Sequence, residues 1–456
     1  MNSGFLFNAS PLMFNSPLLS NAAVIHPPIP PYSILHLIPS RLFQPSGISP
    51  TQQLLFFHTY SFTNSEFYHP LDAAEPLDQQ ADMQSRGVKR QPEFHLQSSP
   101  DQKRARAHES PPPHASGSKV TSKRQQELVG RITRYIWDRC ERNGQLQSLY
   151  VKKMKLRDAI YAVMKGVFPY CGLYIVGSSM NGFGDMESDM DLCLMLSHSQ
   201  IDQKKDATEI LRLLHTALRH CKFLSQVRII RAKVPILRFV DRISNVECDI
   251  NINNQVGIRN THLLSAYSQM DARIVPLVKT VKRWARAQNI NDASQGSVSS
   301  YSLVLMVLHY LQYGCSPPVI PSLQQKYPHK FNSDQDIRRI TLNDELPTYT
   351  SPNEQSIGEL FLGFLEYYAV IFDFESDCIS VRLGTKIPRH VAMKQCTENS
   401  PNQWKCLCIE EPFNLSNTAR SVFDITVFQR ILHVFRKTHL HIRSSGNMQA
   451  IFDKPF

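Results

Sequence analysis

The sequence predicts an α/β (α+β) protein, with a mixed-sheet domain followed by a helical domain, behind a long arm that lacks a core. Three observations carry this prediction. Between residues 173 and 252, short apolar runs at strand spacing are separated by Gly- and Ser-containing turns. From Asp271 onward, apolar residues recur mostly at helical spacing. Residues 1–118 hold 16 of the 29 prolines, with Gln, Ser and Asn runs, which disfavours a packed core there.

The arm carries 7 Lys/Arg against 8 Asp/Glu, so the net charge of +11 arises entirely beyond it. Residues 1–118 are expected to be disordered, with the apolar stretches 34–38 and 54–57 either docking on a partner or binding nothing specific. Lys89-Arg90 and Lys103-Arg104-Ala105-Arg106, twelve residues apart, match a loose bipartite nuclear-import pattern and equally a solvated charge cluster. Order is expected near Ser122. Leu128, Ile132, Tyr135 and Ile136 mark a first helix and residues 151–168 a second. Strands are expected at 173–176, 190–195, 229–240 and 246–252, and helices at 274–288, 300–313 and 357–372. The expected division is an arm at 1–118, an N-terminal helix of the helical domain at 119–150, a catalytic domain at 151–270 and the rest of the helical domain at 271–456.

Composition excludes several classes. A pI near 9.1 points to a polyanionic partner, with nucleic acid first. The longest apolar stretch, 301–313, contains His309 and Gln312 and is too short to cross a bilayer, so no membrane partner is expected. Prolines interrupt the apolar N-terminal residues, and no basic segment precedes them, which argues against a secretory signal. Ten cysteines include no CxxC pair, so neither a disulfide framework nor a zinc ribbon is expected, and an intracellular setting follows. His390, Cys396, Cys406 and Cys408 have the wrong spacing for a metal cluster.

The chemistry concentrates where the strand at 173–176 runs into Gly177-Ser178-Ser179, a turn whose N–H groups and hydroxyls suit phosphate oxygens. Beyond it comes Ser188-Asp189-Met190-Asp191. Strand alternation turns Asp189 and Asp191 to one face, roughly 7 Å apart along the chain, while Met190, Leu192 and Leu194 enter a core. Two carboxylates aimed at one spot repel unless a cation lies between them, and hard oxygen ligands suit Mg²⁺ or Mn²⁺. In the strand at 246–252, Val246, Cys248, Ile250 and Ile252 face one side and Asp249 the other. If this strand lies beside the first, three carboxylates converge, the minimum for two metal ions about 3.5–4 Å apart. Asp-x-Asp alone also fits a solvated strand edge; the upstream turn and the third Asp favour the metal site.

Gly177-Ser178, Asp189-x-Asp191 and Asp249 together resemble the signature of the polymerase-beta-type nucleotidyltransferases. Arg231-Ala-Lys-Val-Pro-Ile236, Asp249-Ile-Asn-Ile-Asn-Asn254, Gly257-Ile-Arg-Asn-Thr261 and Ser299-Ser-Tyr-Ser-Leu-Val304 are similar to cytoplasmic poly(A) polymerases and terminal uridylyltransferases. Over about residues 122–430 the chain resembles the germ-line-development-defective type of cytoplasmic poly(A) RNA polymerase. The resemblance implies a polymerase-beta-like domain packed against a helical poly(A)-polymerase central domain, with the site between them. It implies that Asp189 and Asp191 bind both metals, and that Asp249 ligates the one that activates an RNA 3′-hydroxyl. Gly177 and Ser178 would touch the triphosphate, Asn254 or Asn260 the sugar, and Lys282 and Ser300 the phosphates, with Tyr301 stacking on the base. Independently, Lys279, Lys282, Arg283 and Arg286 form a basic stripe at i, i+3, i+4 and i+7, fit for phosphates or for solvent. Related enzymes often carry Lys at the place of Arg286. Trp284 on the same helix is expected in the core.

Residues 356–368 followed by Ile409-Glu-Glu-Pro-Phe413 resemble the poly(A)-polymerase-associated region, placed at about 356–413. Uridylyltransferases usually place a His shortly after that acidic-Pro-Phe element. Here the chain reads Asn414-Leu-Ser-Asn-Thr418, without a His, which leaves room for adenine. Glu411 is a candidate for the base edge and equally for a loop ion pair. The expected activity is template-independent addition of AMP from ATP to RNA 3′ ends, with Mg²⁺ or Mn²⁺, on messenger or small RNAs. A terminal uridylyltransferase and a non-catalytic scaffold are the rivals. No RRM, KH or zinc-finger pattern occurs, so RNA-binding adaptor proteins are expected to deliver substrates. The expected compartment is the cytoplasm, with the nucleus as a second one.

Overall fold

The computed structural model describes residues 123–143, 147–196, 201–202, 205–232, 234–342, 346–396 and 400–456. The expected arm, its apolar stretches and its basic pairs lie outside the described residues.

Two amphipathic helices come first, α1 (Lys123–Asn143) and α2 (Gln147–Val167). Strands β1 (Gly172–Val176) and β2 (Met190–Met195) follow, then helix α3 (Asp206–Leu218). The sheet is completed by β3 (Leu224–Ile230), β4 (Ile236–Asp241) and β5 (Glu247–Ile252), in the order β1-β2-β5-β4-β3. Its one parallel pair is β2 with β5, and the other pairs are antiparallel. The expected run at 229–240 is thus two strands of a hairpin. Pro235 has no N–H for a ladder, so β4 starts one residue after it.

Alternation decides how the sheet is covered. Met190, Leu192, Leu194, Leu237, Phe239, Cys248 and Ile250 are fully buried on one face. They pack against Ile160 and Met164 of α2 and Leu211 and Leu214 of α3. The opposite face carries Asp191, Cys193 and Asp249. Helix α4 (Gln255–Met270) covers its far end through Ile258, together with Ile337 and Ile340. Beyond that cover, Asp191 borders a cleft.

A second core is helical. It contains α5 (Ile274–Ala287), α6 (Ser300–His309), the short α7 (Leu323–Lys326) and α8 (Ile357–Glu366). Both α6 and α8 run on into π-helical turns, Tyr310–Gly314 and Tyr367–Ile371. A hairpin of β6 (Asp377–Ser380) and β7 (Thr385–Pro388) interrupts the expected helical pattern. Then come α9 (Arg389–Gln395), α10 (Ile425–Ser445) and α11 (Ala450–Asp453). Helix α1 joins this core rather than the sheet, burying Ile132 and Ile136 with Trp284, Phe361 and Phe435. Early and late parts of the chain therefore share one core, so the sheet is inserted between α1 and the later helices.

The contact of α1 with α8 is close because Gly358 has no side chain. Its N–H donates to Thr133 Oγ1 at 3.2 Å, and an added Cβ would lie 2.7 Å from the Val129 carbonyl oxygen. Gly358→Ala must therefore push two helix backbones apart, and a loss of about 1–3 kcal/mol in urea unfolding is expected. A loss below about 0.5 kcal/mol would show that α1 is not held there.

Candidate active site

Strand β1 ends at Val176, and Gly177 turns the chain with φ at +73°. A side chain is excluded there twice, since a Cβ would also lie 2.5 Å from Asp191 Oδ2. The Gly177 N–H donates to Thr261 Oγ1 at 2.9 Å, and that hydroxyl donates to the Gly257 carbonyl at 2.7 Å. The turn is thereby tied to α4.

The three carboxylates converge as the strand pattern requires. Asp191 on β2 is the direct register partner of Asp249 on β5, and Asp189 leads into β2 one residue before it starts. One oxygen from each of the three lies within 4.8 Å of the others. Burial first, then repulsion from Asp189 and Asp249, pushes the Asp191 carboxyl up to about 7. Burial and Asp249 raise the Asp189 carboxyl as well.

Two cations answer this charge. Arg238, opposite Asp249 across the β4–β5 ladder, donates from Nε to Oδ1 at 2.8 Å and from Nη2 to Oδ2 at 2.6 Å. Its Nη1 also meets Glu247 at 2.9 Å. Lys153 of α2 is fully buried beneath the turn, and burial lowers its pKa against the pull of Asp189. Its ammonium donates to Ser179 Oγ at 2.8 Å, the Ser188 carbonyl at 2.7 Å and the Asp189 carbonyl at 3.3 Å. Lys153 thus binds the carbonyls behind the carboxylates and sets a positive charge close to them. Asp189, Asp191 and Asp249 form a hard, mutually repelling oxygen set that fits divalent cations. Arg238 uses one lone pair on each Asp249 oxygen and leaves the other available.

These groups open on a cleft of about 970 Å³ between the two cores. Gly177, Ser178, Asp189 and Asp191 line its sheet side, and Asn254, Asn260, Lys282, Arg286, Ser300 and Tyr301 its helical side. Asn254 caps α4, its side chain accepting from the Gly257 N–H. The Lys282 ammonium donates to the Phe183 carbonyl at 3.1 Å, and burial lowers its pKa to about 8. Arg286 reaches Asp185 at 3.5 Å and is half exposed. Ser300 donates to Asn291 at 3.1 Å.

Three expectations need correction or completion. Glu411 does not line the cleft. It is 4% exposed behind Tyr301, taking the Tyr301 hydroxyl on one oxygen at 3.1 Å and the Phe413 and Asn414 N–H groups on the other. With both oxygens engaged, it acts on the cleft through Tyr301, whose single hydroxyl proton it shares with Asn260 Oδ1, 2.7 Å from the same hydroxyl. The basic stripe divides, since Lys282 and Arg286 face the cleft while Arg283 lies over the Phe452 ring. Trp284 is in the core, as expected. Sequence reasoning missed Lys153, Arg238 and Thr261. Only Lys153 left a local signal, a lysine on the buried stripe of Leu156, Ile160 and Met164. Among the described residues, His390, Cys396, Cys406 and Cys408 form no metal-holding group, all ten cysteines are free, and no helix is long and apolar enough to cross a membrane.

Comparison with known proteins agrees with this geometry. Residues 132–269 match the family model of the central palm domain of mitochondrial-like poly(A) RNA polymerase, and residues 356–417 that of Cid1 family poly A polymerase. The poly(A) RNA polymerase gld-2 homolog A of Drosophila melanogaster is 44% identical over 70% of this chain and 24% of its own length. The poly(A) RNA polymerase GLD2 of Mus musculus is 40% identical over 71% of this chain and 67% of its own. This chain therefore spans only part of the curated relatives it matches. A solved GLD-2/RNP-8 complex superposes with a TM-score of 0.64 at 40% identity, covering 72% of this chain and 99% of that one. On this shared sequence, fold and carboxylate arrangement, the chain belongs to the GLD2 poly(A) RNA polymerase family.

Proposed function

We propose that the cleft transfers AMP from ATP to an RNA 3′-hydroxyl without a template and releases pyrophosphate. The observation that carries this is the register pairing of Asp191 with Asp249, beside Asp189, at the mouth of a cleft lined by Lys282 and Arg286. The new bond joins the primer oxygen to the α-phosphorus as the bond to the β-phosphate oxygen breaks. Asp189, Asp191 and Asp249 would hold the divalent ions, Mg²⁺ or Mn²⁺. Such ions activate a hydroxyl and offset triphosphate charge. Gly177 and Ser178 would present N–H and hydroxyl groups to phosphate oxygens, with Lys282, Arg286 and Ser300 opposite them. Asn254 and Asn260 suit the sugar, and Tyr301, fixed by Asn260 and Glu411, offers its ring to the base. Lys153 and Arg238 would keep the carboxylates in place.

The domain division that fits is a nucleotidyltransferase domain at 151–270 against helices at 119–150 and 271–456, with a disordered arm at 1–118. Adaptor proteins with RNA-binding modules would bring the RNA, and the cytoplasm is the compartment that goes with this activity. Adenine is favoured over uracil because no His follows the Glu411-Pro412-Phe413 element.

Two measurements test the proposal. Purified protein with Mg²⁺ or Mn²⁺ is expected to lengthen a labelled oligo(A) primer with ATP, but not with UTP, GTP or CTP. Asp191→Asn should lower the rate by at least about 10³-fold, as loss of a group that stabilises transition-state charge does. Extension with UTP would overturn the adenine assignment, and no extension with any nucleotide would overturn the transferase reading. The second measurement is stability in chelator. The Asp191 pKa of about 7 lies above its unfolded value of about 4, so the metal-free fold binds more protons than the unfolded chain between those values. Its stability should fall as pH rises from about 4 to about 7, and Asp191→Asn should lessen that fall, the raised Asp189 carboxyl remaining, and raise Tm at pH 8 by about 2–4 °C. A lower Tm for the variant at pH 8 would contradict the repulsion.

A further inference from the structure

Arg238 grips two carboxylates at once, and only one of them belongs to the converging triad. Its Nε and Nη2 bond the two oxygens of Asp249, and its remaining nitrogen, Nη1, meets Glu247 Oε1 at 2.9 Å. Glu247 opens β5 two positions before Asp249, so alternation turns both to the same face, roughly 7 Å apart. The β4–β5 register sets Arg238 opposite Asp249, and its long side chain reaches diagonally to Glu247. Glu247 lines the cleft. Among the described residues, the three aspartates are the only group that could hold a metal, so Glu247 stands outside it.

A guanidinium seated on a metal ligand has two opposed effects. It orients the carboxylate, because a bidentate pair fixes both oxygens. It also weakens the carboxylate as a ligand, because its positive charge repels any cation bound there. That charge reaches beyond Asp249: burial raises the Asp189 and Asp191 carboxyls, and Lys153 and Arg238 draw both back down. Three carboxylates against these two cations leave one net negative charge, and Glu247 makes it two. Glu247 also holds the free edge of the guanidinium, which keeps its plane turned to Asp249.

We infer that Glu247 is a positioning residue of the metal site, which offsets the charge of Arg238 and fixes its plane. Asp249 is thereby oriented by an arginine and still holds the divalent ion that activates the primer hydroxyl. This rests on the AMP-transfer reading and adds to it a residue that touches neither ion nor substrate. Because Asp249 is assigned to that ion alone, the effect falls on one of the two ions.

The test is Mn²⁺ titration by calorimetry with a non-hydrolysable ATP analogue, beside the Mn²⁺ dependence of AMP addition. Glu247→Gln keeps an acceptor for Nη1 and removes the charge, whereas Glu247→Ala removes both. Glu247→Gln is expected to raise the Kd of one Mn²⁺ about three- to tenfold, the scale of one half-exposed charge roughly 7 Å away. The other Mn²⁺ should stay within about twofold of wild type. The Mn²⁺ concentration for half-maximal AMP addition should rise by the same factor, while kcat at saturating Mn²⁺ and KM for ATP hold. Glu247→Ala should add a fall in kcat of about threefold that saturating Mn²⁺ does not restore, and Glu247→Asp should recover most of the affinity. Unchanged or tighter Mn²⁺ binding in Glu247→Gln would overturn the inference, and so would outright loss of one ion, which would make Glu247 a ligand. Wild-type protein that binds both ions but adds no AMP would overturn the transferase reading, with the Kd comparison still deciding on Glu247.

Discussion

The structure depends on forcing like charges together. Asp191 and Asp249 face each other across the only parallel strand pair of the five-stranded sheet, with Asp189 beside them. Burial of the Asp191 carboxyl, and then repulsion from Asp189 and Asp249, disfavours its charged form and raises its pKa to about 7. The register that imposes it is held from behind. Leu192, Leu194, Ile250 and Ile252 must all stay on the core face, and a slip of one residue would reverse every one of them. Hydrophobic burial over the whole sheet face outweighs the local repulsion.

The surrounding side chains answer that constraint from different directions. Lys153 comes from α2 and binds the carbonyls beneath the turn, placing positive charge close to the carboxylates. Arg238 comes from the neighbouring strand and orients Asp249 with two hydrogen bonds. Gly177 gives room to Asp191. On the far wall, Tyr301 of α6 is joined to Asn260 of α4 and to Glu411 from the loop beyond residue 409. Residues as far apart in the chain as Gly177 and Tyr301 thus line one cleft, and α1 braces its helical wall by packing against α8.

How much of this was legible depends on the range of the interaction. Asp189, Asp191 and Asp249 could be read because strand alternation is a local rule, and it gave both the face and the partner strand. Lys282 and Arg286 were legible as part of a helical stripe, but which of its members turn to the cleft depended on how α5 packs. Glu411 could be read only as a base-edge or ion-pair candidate, since its two backbone donors, the Phe413 and Asn414 N–H groups, and its bond with Tyr301 are features of the loop it closes. The hairpin of β3 and β4 was read as one strand, because the apolar pattern continues across Pro235. The four-residue strands β6 and β7 are too short to show a period. Arg238 and Thr261 gain their meaning only from partners 11 and 84 residues away.

The central claim is that the repelling carboxylates are a divalent-cation site. Titration of the protein with Mn²⁺ in the presence of a non-hydrolysable ATP analogue, followed by electron paramagnetic resonance, measures this directly. Saturation at two bound ions per chain, with loss of at least one in Asp191→Asn, is the predicted result. No saturable binding, or the same two ions bound by the variant, would contradict it.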